Sequence, residues 1–108
     1  DSLNNDRINY MLWRTGNYYE IEEEYKTAIK YYKDLLENET KKFGDFHIEV
    51  NDIVISIANC YYYAKNLKKA IFFFEKSLKI NKINGNKKEC DKLHELVFIL
   101  KKEITNDQ

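Results

Sequence analysis

The sequence predicts an all-α fold of antiparallel helix pairs, five helices in all. Three observations carry that prediction. First, the chain superimposes on itself when slid by 42 residues. Asn, Tyr, Lys, Ala, Ile and Leu recur at Asn17/Asn59, Tyr19/Tyr61, Lys26/Lys68, Ala28/Ala70, Ile29/Ile71 and Leu36/Leu78. A fixed period of this size marks one supersecondary unit stacking on the next. Second, apolar residues recur at three- and four-residue steps, the spacing of one helix face. Third, Pro is absent and only three Gly occur, so little interrupts a helix.

The elements follow in order. A first helix, from about Leu3 to Glu20, carries Ile8, Leu12, Trp13, Gly16 and Tyr19 on or near one stripe. A turn falls at Ile21 to Glu24, where no Gly or Pro marks it. The second helix, from about Tyr25 to Lys42, aligns Ala28, Ile29, Tyr32, Leu35 and Leu36, and Gly44 stops it. The third, about His47 to Tyr63, repeats Val50, Val54, Ile57, Ala58 and Tyr61. Its β-branched run from Ile53 to Ile57 resembles a strand, but its length and the 42-residue match decide for helix. Ala64-Lys65-Asn66 turns the chain into a fourth helix, about Leu67 to Lys82, with Ala70, Ile71, Phe74 and Leu78 inside. Asn84-Gly85-Asn86 ends it. The fifth, about Lys87 to Glu103, uses Leu93, Leu96, Val97, Leu100 and Ile104, and Ile104 to Gln108 are expected to fray. The whole reads as one domain over 1–108, with a first repeat at about 3–44, a second at about 46–84 and a capping or orphan helix at about 87–104.

Charge and composition exclude several classes. Lys+Arg and Asp+Glu balance at 18 each, so the net basic field that nucleic acid requires is missing. The same neutrality disfavours an anionic membrane surface, and no apolar run is long enough to span a bilayer. No signal peptide or lipidation motif is recognisable, and a chain that opens on Asp1 reads as a piece of something longer. Two cysteines, Cys60 and Cys90, are too few for a disulfide framework. They read as reduced thiols of an intracellular, cytoplasmic protein.

Candidate chemistry is thin. Glu20 and Glu22 to Glu24 offer carboxylates but read as a solvated turn and helix start. Cys90 and His94 sit four apart, half of a zinc site, with Cys60 and His47 as the remaining candidates. Ligand count favours structural packing, and no metal or cofactor is expected. Ser56, Ser77, His47 and His94 stand in no nucleophile motif, and no phosphate loop or Cys-x-x-Cys occurs. Lysine pairs are scattered among acids, and aromatics at this spacing read as core. An enzyme is not expected.

Two sets of residues in register carry a family resemblance. The first is Leu12, Thr15, Gly16, Tyr19, Ala28, Tyr32. The second is Val54, Ile57, Ala58, Tyr61, Ala70, Phe74, and Leu96, Ile99, Leu100 begin a third, incomplete copy. This pattern resembles the tetratricopeptide repeat. The resemblance implies a right-handed α-solenoid. The 42-residue period exceeds the ordinary repeat of about 34. The run Phe43-Gly44-Asp45-Phe46-His47-Ile48-Glu49-Val50 resembles the inter-repeat turn of kinesin light chains, with Ile48 in place of Pro. Cell-polarity adaptors and bacterial peptide-sensing regulators share such long repeats. Small residues at Gly16, Ala58, Ala28 and Ala70 beside Tyr32 and Phe74 fit the alternation that dense packing of crossed helices requires.

In this family the first helix of each unit lines a concave surface that holds a peptide. The resemblance therefore implies partner contacts from Trp13, Arg14 and Asn17, from Ile55, Ser56, Asn59, Tyr62 and Tyr63, and from Val97, Phe98 and Lys101. Asn17 and Asn59 suit a peptide backbone because an amide both donates and accepts. A chaperone-tail carboxylate clamp is disfavoured, because Trp13, Ser56 and Phe98 stand where it would use Lys, Asn and a basic residue. Phe72-Phe73-Phe74 cannot all be buried on one helix face, so Phe72 or Phe73 is expected to be partly exposed, a route to self-association. The expected function is a non-catalytic adaptor or scaffold that holds a peptide. The alternatives are a peptide-sensing regulator and an oligomerisation module without a separate ligand.

Overall fold

The computed structural model describes residues 2–106. Among these residues the fold is all-α: α1 (Ser2–Ile21), α2 (Tyr25–Phe43), a 3-10 turn (Ile48–Val50), α3 (Asn51–Tyr63), α4 (Leu67–Ile83) and α5 (Lys87–Asn106). Each helix packs on the next in the chain. The result is a slab with extents of 49 × 33 × 17 Å. No described helix is long and apolar enough to cross a membrane.

Three turns share one hydrogen-bond pattern. Glu24 N–H donates to the Tyr19 carbonyl, Asn66 to Tyr61 and Asn86 to Asn81, each at 2.9 Å. That bond caps the outgoing helix through a left-handed residue. The residues concerned are Glu23 (φ 61), Lys65 (φ 64) and Gly85 (φ 75). Only the last is glycine, and for this reason the first turn carries no sequence mark. The α2–α3 connection is built differently. His47 Nδ1 accepts from the Glu49 N–H at 3.1 Å, opening the 3-10 turn, and the His47 ring stacks on Phe43 at 4.8 Å. Helix α3 therefore begins at Asn51, later than the expected His47. Asn84 donates to the Phe46 carbonyl at 3.0 Å and ties the α4–α5 turn to this connection.

The core is one cluster. Ala28, Ala70, Tyr32, Val50, Val54, Ile57 and Ala58 are fully enclosed. Gly16 packs directly under the Tyr32 ring. In the second unit Ala58 and Phe74, both buried, hold the corresponding places. A second buried motif follows the same period and escaped sequence reading. Asn9 and Asn51 lie 42 residues apart, and each accepts a hydrogen bond from the helix that follows it. Asn38 donates to Asn9 Oδ1 at 2.9 Å. Ser77 Oγ and Asn81 Nδ2 donate to Asn51 Oδ1 at 2.6 and 3.3 Å. Each amide is held by the helix that follows its own.

Helix α5 departs from expectation twice. Its buried residues Leu93, Val97 and Leu100 lie 43 residues after Val50, Val54 and Ile57. The third copy is therefore slipped by one residue from the 42-residue period. Ile99 consequently faces out and Val97 belongs to the core rather than to a groove. The helix also continues through Asn106 instead of fraying from Ile104. Ile104 packs against the core and Thr105 Oγ1 donates to the Lys101 carbonyl at 3.1 Å. Residues 107 and 108 of the expected frayed end lie outside the described residues.

Candidate functional site

Helices α1 and α3 flank two cavities. The larger approach, about 470 Å³, lies near the α2–α3 connection. Trp13 and Tyr10 from α1, Leu35 and Phe43 from α2, and Asp52 and Ile53 from α3 are among its walls. The second, about 420 Å³, lies at the opposite end of α1 and is lined by Asn17, Glu20, Ile21, Tyr25 and Tyr63. Together they place Trp13, Asn17 and Tyr63, three of the residues named from sequence, on cavities along this face.

Tyr32 separates the two cavities and organises the side chains between them. Its hydroxyl bonds to Asn17 Oδ1 at 2.6 Å and Glu20 Oε1 at 2.7 Å. The ring lies 5.6 Å from Trp13. Ser56 and Cys60 of α3 lie near enough to Tyr32 and Glu20 to influence this cluster. Asn17 is thus held by its carbonyl oxygen, which leaves its amide nitrogen to face outward. Sequence reading assigned Asn17 a wholly outward role because Tyr32 looked like an apolar core ring. The polar partners, Glu20 above all, were read as a solvated charge.

The other residues named from sequence are placed as follows. Asn59 is half-buried and makes no hydrogen bond among the described residues, so its amide remains available. Ile55 is half-buried against the core. Tyr62 and Tyr63 meet edge to face at 5.4 Å, and Tyr63 stacks on Tyr25 at 5.5 Å. Arg14 is exposed and turned along its own helix, donating to the Tyr10 hydroxyl at 2.8 Å. It lines neither cavity. Phe98, 59% exposed, also stands outside them, with Lys102 over its ring at 4.8 Å. Lys101 is paired with Glu75 at 3.2 Å. Phe72 is the exposed member of its triplet, at 64%, whereas Phe73 stacks on Tyr61 and Phe74 is buried.

Burial raises the pKa of two groups in this cluster. The Cys60 thiol is pushed up from 9.0 to about 12, first by burial and then by the charge and hydrogen bond of Glu20. Tyr32 is raised above its ordinary 10.0 by burial, by its hydrogen bond to Glu20 and by the Glu20 charge. Both groups bind their protons more tightly folded than unfolded. Their contribution is complete below about pH 9 and is lost as the pH rises through the folded values. Urea unfolding should therefore show stability falling above about pH 9, with each group limiting the slope to about 1.4 kcal/mol per pH unit. Cys60→Ala should flatten the first part of that fall. A profile identical to that of the unsubstituted chain would place Cys60 outside the cluster.

A family model described as tetratricopeptide repeat matches residues 7–83, which take in most of α1 and reach the end of α4. No curated protein and no solved structure matches the chain.

Proposed function

The chain belongs to the tetratricopeptide repeat family, a family of protein–protein interaction modules, and from that premise we propose that it is an adaptor or scaffold that holds a peptide segment along the α1/α3 face. Trp13, Asn17, Ser56, Asn59 and Tyr63 contact the peptide in this reading, Arg14, Ile55 and Tyr62 flank it, and Phe98 extends the face onto α5. In the slipped register of α5, Phe98 falls at the place of Ile55. The reading places the chain among long-repeat members similar to kinesin light chains, non-catalytic and cytoplasmic. The observation that carries it is the pair of cavities between α1 and α3, with the Asn59 amide unoccupied beside Ser56. A peptide-sensing regulator would use the same face.

The test is selection of short random peptides on the immobilised protein. Selected peptides should bind with micromolar affinity and lose about tenfold or more on Asn59→Ala, roughly the 1.4 kcal/mol of one well-placed amide contact. Phe72→Ser should leave binding unchanged. Peptides indifferent to Asn59 but lost with Phe72 would move the site to α4.

Self-association is a second reading, favoured by one observation. Ile8 and Met11 on α1 are exposed, although Val50 and Ile53, their counterparts 42 residues on, are buried. Helix α1 thus presents the face that α3 buries. Sedimentation that shows a concentration-dependent dimer, abolished by Met11→Glu, would favour this reading. A monomer at all concentrations would end it.

A further inference from the structure

The cavity near the α2–α3 connection differs in charge from the molecule around it. The chain is neutral, yet the walls here gather Asp6, Glu39, Glu49 and Asp52 with a single lysine, Lys42. Lys42 is already paired with Asp6 at 3.1 Å. Among the described residues no cation pairs with Glu39, Glu49 or Asp52. Lysines collect elsewhere: Lys26, Lys65 and Lys68 line a cavity near the α3–α4 turn, and Lys33 and Lys69 lie over the Tyr61 ring.

Two further features bear on the occupant. The acids share the cavity with aromatic rings: Tyr10 and Phe43 already carry Arg14 and Lys42 of this chain, at 5.7 and 5.1 Å, and Trp13 has no cation over it among the described residues. Asn9, only 8% exposed, also lines the cavity. Its Oδ1 accepts from Asn38, and its amide nitrogen has no partner among the described residues. No buried polar side-chain atom lacks a partner among the described residues, so this amide nitrogen is open to solvent at the cavity wall, where a peptide carbonyl can take the place of water. Unpaired carboxylates near one another repel, which a bound cation relieves and an anion worsens.

We propose that this cavity receives a basic peptide segment. A Lys or Arg side chain lies against the Trp13 ring, facing Glu39, Glu49 and Asp52, and the Asn9 amide donates to the segment's backbone. The proposal rests on the groove reading above and names the chemistry of its partner. The long-range part of the attraction is screened by salt, so binding weakens as ionic strength rises.

The test uses three synthetic peptides of equal length and spacing that carry Arg, Gln or Glu at alternate positions. Trp13, the only tryptophan, reports binding by fluorescence. The Arg peptide should shift Trp13 emission and weaken about tenfold both with added salt and on combining Glu49→Gln with Asp52→Asn. Both side chains are exposed, and a thermal melt checks that the variant folds. Glu95→Gln with Glu103→Gln, which removes the same charge from α5, should change binding less than twofold. Equal binding of the Gln or Glu peptide would overturn the charge reading while the groove reading stands. Arg-peptide binding that ignores Glu49 and Asp52 would overturn it as well. Failure of all three, together with failure of the random selection, would remove the groove itself. Self-association that the Glu49/Asp52 variant abolishes, without any Arg-peptide binding, would make a second copy the occupant and overturn the proposal.

Discussion

Gly16→Ala is expected to destabilise the protein by about 1–3 kcal/mol, against the direction that helix propensity alone sets. Gly within a helix is worse than Ala by roughly 0.5–1 kcal/mol, so an unopposed substitution would stabilise. Here a Cβ would stand 2.5 Å from Tyr32 Cε1 and 2.6 Å from Cδ1. The ring has nowhere to go. Its hydroxyl is tied to Asn17 and Glu20, its face meets Trp13, and none of it is exposed. Overpacking of a full core site outweighs the propensity gain. In a domain of this size each kcal/mol lowers the melting temperature by roughly 4–8 °C. The penalty should vanish in a Tyr32→Ala background, which a double-mutant cycle reads directly. A higher melting temperature for Gly16→Ala would mean that α1 and α2 do not cross here.

Ile53→Ala should cost about 2–5 kcal/mol, as large-to-small changes in a core do. The substitution at its register partner, Met11→Ala, should cost less than about 0.5 kcal/mol, as at an ordinary surface site. Ile53 is 5% exposed and Met11 62%. The two positions share a place in the repeat and differ in one respect: α3 has α2 packed on its outer side, and among the described residues no helix covers the corresponding side of α1. Chemical denaturation of both variants checks the contrast. Equal costs would mean that Met11 is as enclosed as Ile53.

The helices and most of the core were legible because they rest on local periodicity. Ala28, Ile29, Tyr32, Leu35 and Leu36 fall on one face at the spacing a helix imposes, and all are buried. The 42-residue match carried the pairing of units, which periodicity alone leaves open. What escaped reading depends on partners distant in sequence. Glu20 lies among glutamates and looked solvated, yet it accepts from Tyr32, 12 positions on. Asn9 and Asn51 show their buried role only when the helix that follows is in place. In α5 a register that shifts by one residue moves Ile99 from core to surface. The unpaired carboxylates beside Trp13 come from α2, the 3-10 turn and α3, and no window of sequence brings them together. The Glu23 and Lys65 turns were placed from sequence, but their left-handed conformations, held by non-glycine residues, leave no compositional trace.

The most direct measurement is amide chemical-shift mapping of the labelled protein during titration with a selected peptide. Shifts concentrated at Trp13, Asn17, Ser56 and Asn59, on the facing sides of α1 and α3, are the predicted result. Shifts confined to α4, around Phe72, would contradict it and move recognition off the α1/α3 face.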